Sequence, residues 1–505
     1  MPTKWETFPI KFEGGWRTDL GRLEQGIQAP GSAITLKNFE PAVNGGYTKI
    51  LGYSKYSSTD VAAAQAEPVI GVIVLSETDA LARKGTRYCT SSGTTWTEKL
   101  TVVTPNATRI HFDMYNFDGT DKWVVVDGFN DPAIYNTLAG TMAFETGAPA
   151  DVVGAHLVRV FKNHIFYAKG NLLSFTAPYT DNDYTPGNGA GVINIGGDIT
   201  GLIAFRDQLI IFTVDSIHRL AGNTLGDFQL QPITTSTGCL DPYTVQEVGG
   251  DILYLGPDGV RWLSATERNE DFGLERASEN IQSEVSRTIV LGPQYTSLPI
   301  RAKNQYRLFT YSTSTPKALS RGFLATKYSD QGTTRIEWGE IVGMKVYSAH
   351  SRQFDDREIV LFTSEDEYVY KMENTGGFDG GDISYSFKTP WMPITDPRIR
   401  KTIYKHSLYL KTTGTFSIDF NLKLDYNPSG SIQPYTINMS STTGVAIYGV
   451  AVYGTDSYSQ SVSDTFVNQT VGSGFVFSLE YSGSDTNPPF NLDFAILEYG
   501  TNERR

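Results

Sequence analysis

One short pattern keeps returning along this chain: an apolar strand, a polar turn, a second apolar strand. It stands at Asn163–Phe175 (NHIFYAKGNLLSF), Gln208–Leu220 (QLIIFTVDSIHRL) and Asp251–Ser264 (DILYLGPDGVRWLS). The first strands begin at Ile165, Leu209 and Ile252, about 44 residues apart. A further copy lies at Lys122–Tyr135, with looser ones at Tyr306–Phe323, Arg357–Met372 and Thr86–Thr97. A period of 40 to 50 residues built on paired strands is the signature of a β-propeller. One blade cannot bury both its faces; blades set radially bury each face against the next, and a closed ring hides the edges. A β-sandwich also has short strands at regular spacing, but two sheets need no such long repeat. The expected fold is therefore all-β, a propeller of about seven blades.

Composition supports this. The chain holds 49 Gly, 28 Tyr and 27 Phe, and only 19% charged residues, which suits short strands joined by tight turns and opposes disorder. Helical patterns are scarce. Ser278–Val290 is the best, with Ile281, Val285 and Ile289 on one face; Val61–Glu67 is a weaker one.

Near Pro390–Asp396 the pattern changes to longer strands with clean alternation. In Phe416–Tyr426, Phe416, Ile418, Phe420, Leu422, Leu424 and Tyr426 point one way and the polar residues the other; Phe475–Tyr481 and Phe490–Ile496 repeat this. The expected organisation is an N-terminal segment 1–60 that packs on or closes the propeller, a propeller over 61–396, and a β-sandwich-like domain over 397–505. Within the last, Val445–Gly454 reads VAIYG-VAVYG. It is a strand pair with Gly bends or an exposed apolar loop; on the second reading Ile447, Tyr448, Val452 and Tyr453 contact a partner.

The net charge is −13. That argues against gripping nucleic acid, which needs clustered Lys and Arg. Two cysteines, Cys89 and Cys239, exclude a disulfide scaffold and a Cys-based metal cluster. No apolar run has the length of a signal peptide or a membrane span, so a soluble protein made in a cytoplasm is expected, without membrane insertion.

The chemistry of common enzymes is not written in the sequence. His111, His156, His164, His218, His350 and His406 lack the spacing of a zinc protease pair. There is no phosphate-cradling G-x-x-x-x-G-K-[ST] and no G-x-S-x-G elbow. Gly376–Ile383 resembles a calcium turn of repeat toxins but occurs once, with Asp and Gly exchanged. Asp181–Asp183 begins like an EF-hand but Val192 stands where its Glu belongs. Neither cofactor nor metal is expected. Cys89–Trp96, CTSSGTTW, resembles the Asp-box turn of sialidase-type propellers, with Ser91 in place of the Asp and Cys89 in place of the leading Ser. That single damaged copy counts against a sialidase, but propellers do host glycosidases and aromatic-rich β-domains bind sugar, so a propeller glycosidase or a glycan-binding host-attachment protein is the rival class.

The N-terminal segment carries the most specific pattern. Gly14-Gly15-Trp16 and Thr18-Asp19-Leu20 lead through a Pro/Gly turn to Asn38-Phe39, then Gly45–Ile50 and Leu51-Gly52-Tyr53. Further on come Ser216–Leu220, Gly238-Cys239, Tyr243–Val248, the turn Gly376–Asp382 before Ser386–Trp391, and Arg400-Lys401 before Leu408–Lys411. In this order the segments resemble tail hub, or nozzle, proteins of short-tailed bacteriophages, also called packaged-DNA stabilisation or tail tubular B-type proteins. The resemblance implies a non-enzymatic virion component, synthesised in a bacterial cytoplasm. Such proteins form a ring, usually a hexamer, below the portal and its tail adaptor, carry fibres or spikes, meet a needle or plug protein, and pass genomic DNA without sequence-specific binding. Six copies of this chain would carry about −78, and like charge repels DNA. Asp355, Asp356, Glu365, Asp366 and Glu367 are the candidate acidic lumen; solvated hairpin tips are the plainer reading of the same turns.

Overall fold

The structure is a computed structural model that describes residues 5–63, 65–264, 276–292, 294–330, 333–412, 414–427, 432–439 and 462–501. Seven antiparallel blades follow one another along the chain, six of them separate small sheets and one the first four strands of a nine-stranded sheet. Blades one to four have four strands each, over residues 69–101, 111–144, 157–194 and 199–234. Blade five has three, over 246–262, and blade six four, over 294–342. Blade seven takes three strands from 348–372 and its fourth, Tyr53–Lys55, from the N-terminal segment.

Alternation explains the ring. In blade two, Trp123 and Val125 pack against Ile73 and Leu81 of blade one, while Val124 and Val126 pack against Val158 and Ile165 of blade three. In blade four, Leu209 and Ile211 face blade three, and Ile210 and Phe212 face Ile252 and Tyr254 of blade five. Ile359 and Leu361 of blade seven meet Val72 and Val74 of blade one, which closes the circle. A second strand wet on neither face must be apolar along its middle, and these runs (KWVVV, QLIIFT, EIVLFT) are apolar and buried after a polar first residue, two of them closing on a buried Thr. Six of the seven repeats seen in the sequence start on these second strands; the seventh, Thr86–Thr97, falls instead on the third and fourth strands of blade one. The fold is a seven-bladed propeller.

Blade six does not end at its fourth strand. Lys37 of strand Thr35–Lys37 pairs in parallel with Glu340, and the sheet continues through Ile383–Lys388, Phe477–Asp485, Phe416–Leu424 and Ile432–Met439. A second sheet holds Phe39–Pro41, Tyr47–Lys49, Phe490–Thr501, Lys401–Thr412 and Val462–Gly474, with Glu6–Lys11 added along Phe490–Thr501. Phe12, Tyr47, Phe387, Phe420, Leu408, Tyr481 and Leu492 fill the space between the two sheets, giving the sandwich-like layer after the propeller. The strands of residues 1–60 are thus shared between blade seven, the sheet that leaves blade six, and the second sandwich sheet.

Several local expectations change. Residues 61–63 form a turn rather than a helix, with Ala62 at φ 46°. The Pro/Gly turn of the N-terminal segment contains a helix, Arg22–Gln28. Ser278 precedes a single 3-10 turn, and the helix proper is Gln282–Leu291. Ser278 spends its hydroxyl on Val260 N–H and Gln282 instead of capping. In Phe490–Thr501 a bulge at Asp493 flips the alternation: Phe490 and Leu492 point inward, but after it Ala495 and Leu497 do, and Phe494 and Ile496 turn outward. Val445–Gly454, with Ile447, Tyr448, Val452 and Tyr453, lies outside the described residues.

Candidate functional site: the axial cavity

The first strand of each blade lines the propeller axis and presents an unpaired backbone edge there. Such an edge needs partners. Side chains of neighbouring blades supply them. His350 Nδ1 accepts from Val74 N–H at 2.9 Å, His111 Nδ1 from Val158 N–H at 3.3 Å, and Asp113 Oδ2 from Val160 N–H at 2.7 Å. Arg159 Nε donates to Leu202 carbonyl at 3.3 Å, Gln246 Nε2 to Ser297 carbonyl at 3.1 Å, and Ser351 Oγ to Pro299 carbonyl at 3.0 Å. These polar residues stitch the blades at the axis.

The two axial histidines are neutral. Burial pushes His350 down to about 3, helped by Arg301, Arg352 and Arg159, and pushes His111 well below its ordinary value, helped by Arg159 and His156. With Nδ1 accepting, each ring carries its proton on Nε2. His406 is buried in the sandwich, stacked on Phe420 and held between the hydroxyls of Tyr435 and Tyr481 at 2.7 Å each. Among the described residues no group of three or more His, Cys, Asp and Glu side chains is placed to hold a metal.

What remains on the axis is a cavity of about 330 Å³ lined by residues of blades two to seven, among them His111, Phe112, Asp113, Trp123, Arg159, Glu247, Arg301 and His350. Arg109 packs behind its lining residues where the inner strands begin. Its guanidinium donates to the carbonyls of Tyr295 and Tyr347 and to the Thr296 hydroxyl, pairs with Asp241 at 3.5 Å, and stacks 3.9 Å from the Tyr243 ring centroid. At the other end stand Arg159, paired with Asp113 at 3.5 Å, and Arg301, paired with Glu358 at 3.2 Å. None of these arginines is legible by spacing, since they come from blades two, three and six. The usable signal is their shared position, on or beside the first strand of a repeat.

The acidic candidates all fall in blade seven but in two places. Asp355 and Asp356 stand exposed in the turn after strand Ser348–Gln353. Glu365, Asp366 and Glu367 occupy the next turn, at the opposite end of strand Glu358–Thr363. Glu365 pairs with Lys345, Glu367 with the buried Lys84 at 3.2 Å, and Asp366 accepts from Tyr370 Oη at 2.7 Å. Three of the five charges are therefore engaged within the chain. In the Asp-box-like turn, Ser91 accepts from Ala80 N–H at 2.7 Å, a strand-to-strand tie.

No family model matches this chain, and no curated protein does. Among solved structures, it is similar to the extracellular domain of a one-component system of B. thetaiotaomicron, at 12% identity and a TM-score of 0.41, over 78% of this chain and 48% of that one. An ancestral GH74 enzyme aligns at 11% identity and 0.41, over 63% and 51%. A CNH domain aligns at 10% identity and 0.39, over 64% and 99%. The chain spans about half the length of the first two.

Proposed function

We propose that this chain is a structural, non-enzymatic component of a short phage tail: a hub that closes a ring with further copies of itself, docks on a tail adaptor and carries fibres or spikes. The observation that carries the reading is where the resemblance-bearing residues lie. They fasten the propeller to the sandwich. Gly15 N–H donates to Tyr47 Oη at 3.1 Å, and Trp16 N–H to the Trp338 carbonyl at 2.7 Å. Asn38, at φ 55°, donates to the carbonyls of Val342 and Ser384 and accepts from Val342 N–H, all within 2.9 Å. A β-carbon on Gly52 would stand 1.9 Å from the Gly377 carbonyl oxygen. A segment spent on rigidity rather than chemistry suits a part that must hold pressurised DNA.

In this reading DNA passes through the bore of the ring, since Arg109 bridges blades across the propeller's own axis. Asp355 and Asp356 are the acidic residues left free to face such a bore. The test is particle biochemistry. Purified virions are expected to contain the chain at fixed stoichiometry, and particles assembled without it to lose their DNA. Its absence from virions overturns the reading.

A glycan-binding attachment protein is the second reading, favoured by the outer face of the second sandwich sheet. There Trp5, 56% exposed, stacks on Tyr404 at 5.3 Å, and Tyr409 on Phe494 at 4.1 Å. Such ring faces suit sugar rings. Binding of the purified chain to immobilised host surface glycan, lost in Trp5→Ala, would support it.

A further inference from the structure

The axial cavity has more donors than the blades use. Trp123 lines it, is 4% exposed, and its indole N–H has no hydrogen-bond partner among the described residues. An indole nitrogen can only donate, and a buried donor left unmade costs on the order of 1–3 kcal/mol. Buried donors of this kind call for an acceptor in the adjoining space. His111 and His350 bring two more, because their Nδ1 atoms accept from backbone and leave the proton on Nε2. Of the two lining carboxylates Asp113 is spent: it takes Met114 N–H at 2.9 Å and Val160 N–H at 2.7 Å as well as facing Arg159, while Glu247 is exposed.

We propose that the axial cavity binds a small carboxylate-bearing molecule of monosaccharide size, held by Arg159, Arg301 and the indole N–H of Trp123. The planar guanidinium fork matches a carboxylate, and the cavity volume lies at the small end of ligand sites. Phe112, Leu202, Leu298 and Pro299 give the ligand body an apolar wall. The charge balance selects a monoanion. Each arginine is already half-answered, by Asp113 and Glu358, and the exposed Glu247 on the lining repels a second negative charge. Arg109 packs behind the lining residues Thr296 and Tyr243, and the ligand enters past Arg301, whose side chain is 50% exposed. This site is independent of the tail-hub reading: either stands if the other fails.

The test is calorimetric titration of the full chain with D-glucuronate, against D-glucose and inorganic phosphate. Glucuronate is expected to bind saturably, one per chain, at least tenfold tighter than either comparison. Arg301→Ala is expected to weaken it at least tenfold. Trp123→Phe, which keeps the ring and deletes the N–H, is expected to weaken it about fivefold with an unchanged circular dichroism spectrum. Should Arg301→Ala not fold, the Trp123→Phe titration decides. Absence of saturable glucuronate binding, phosphate binding as tightly as glucuronate, or full affinity in the folded variants overturns the proposal.

Discussion

Arg307 donates to Glu373 at 2.7 Å inside a junction where three parts of the chain meet. Arg307 lies in blade six, Glu373 just after blade seven, and Glu40, which also takes Arg307 at 3.1 Å, in the second sandwich sheet. Lys303 bridges the two carboxylates at 2.6 and 2.5 Å. Burial by itself would raise the Glu373 carboxyl; Arg307 and Lys303 together hold it below its ordinary value. Its contribution to stability is therefore present at neutral pH and is lost as pH falls through the depressed value. Arg307→Met leaves two buried carboxylates on one lysine and is expected to cost about 3–5 kcal/mol. The double variant Arg307→Met/Glu373→Met restores charge balance, since Lys303 still answers Glu40, and should recover most of the loss. Urea unfolding of the three proteins checks this; a single variant as stable as the parent would remove the network from the account of how the halves are joined.

Gly15 and Gly45 separate the effect of backbone conformation from that of close approach. Both have positive φ, +63° and +92°. A β-carbon on Gly15 would stand 2.8 Å from Trp338 N, whereas one on Gly45 meets nothing within 4 Å. Gly45→Ala is expected to cost about 1 kcal/mol from conformation alone. Gly15→Ala must also push strand Thr333–Val342 away from the N-terminal segment and should cost at least about 2 kcal/mol more. Differential scanning calorimetry, with limited proteolysis between propeller and sandwich, reads both effects.

The propeller was legible because the second strand of most blades is apolar on both faces, as in Lys122–Val126 and Gln208–Thr213. Some first strands, facing a polar axis, and outer strands, facing water, carry weaker patterns: His111–Tyr115 has one buried residue and Gln229–Thr234 has none, although the first strand of blade one, Val69–Val74, is apolar and buried throughout. The partners of Tyr53–Lys55 and Thr35–Lys37 lie some 300 residues away. Periodicity cannot announce pairing at that distance. The outward turn of Phe494 was hidden for another reason. A bulge of one residue, Asp493, leaves the sequence alternation intact while reversing which face it addresses. The axial arginines and Trp123 have no local motif at all, because the ring rather than the chain makes them neighbours.

Both cysteines are free and buried. Burial pushes the Cys239 thiol up to about 12 and raises that of Cys89. A thiol reacts as its thiolate, so neither is expected to react with a disulfide reagent at pH 8 in the folded protein, and both in denaturant. Rapid modification of either one in the native state would contradict the packing around it.

Glu145 makes the sharpest pH prediction. Its side chain sits between blades two and three, 5% exposed, with Tyr167 Oη donating to Oε2 at 3.3 Å and the Tyr184 hydroxyl beside the carboxyl. Burial raises its carboxyl from 4.5 to about 7. The folded state then holds the proton more tightly than the unfolded chain does. That favourable contribution is fully present below about pH 4.5 and is lost as pH rises through about 7. Above pH 7 the fold must bury a carboxylate whose two tyrosine hydroxyls, Tyr184 and Tyr167, do not make up for the water it has lost. Glu145→Gln keeps the shape and stays neutral, so it should match the parent near pH 5 and exceed it at pH 8.5 by on the order of 2–3 kcal/mol. The measurement is the difference in unfolding free energy between the two proteins at a series of pH values. A difference that stays flat from pH 5 to pH 8.5 would mean that Glu145 is solvated and ionised throughout, and that the space between these two blades is open to water.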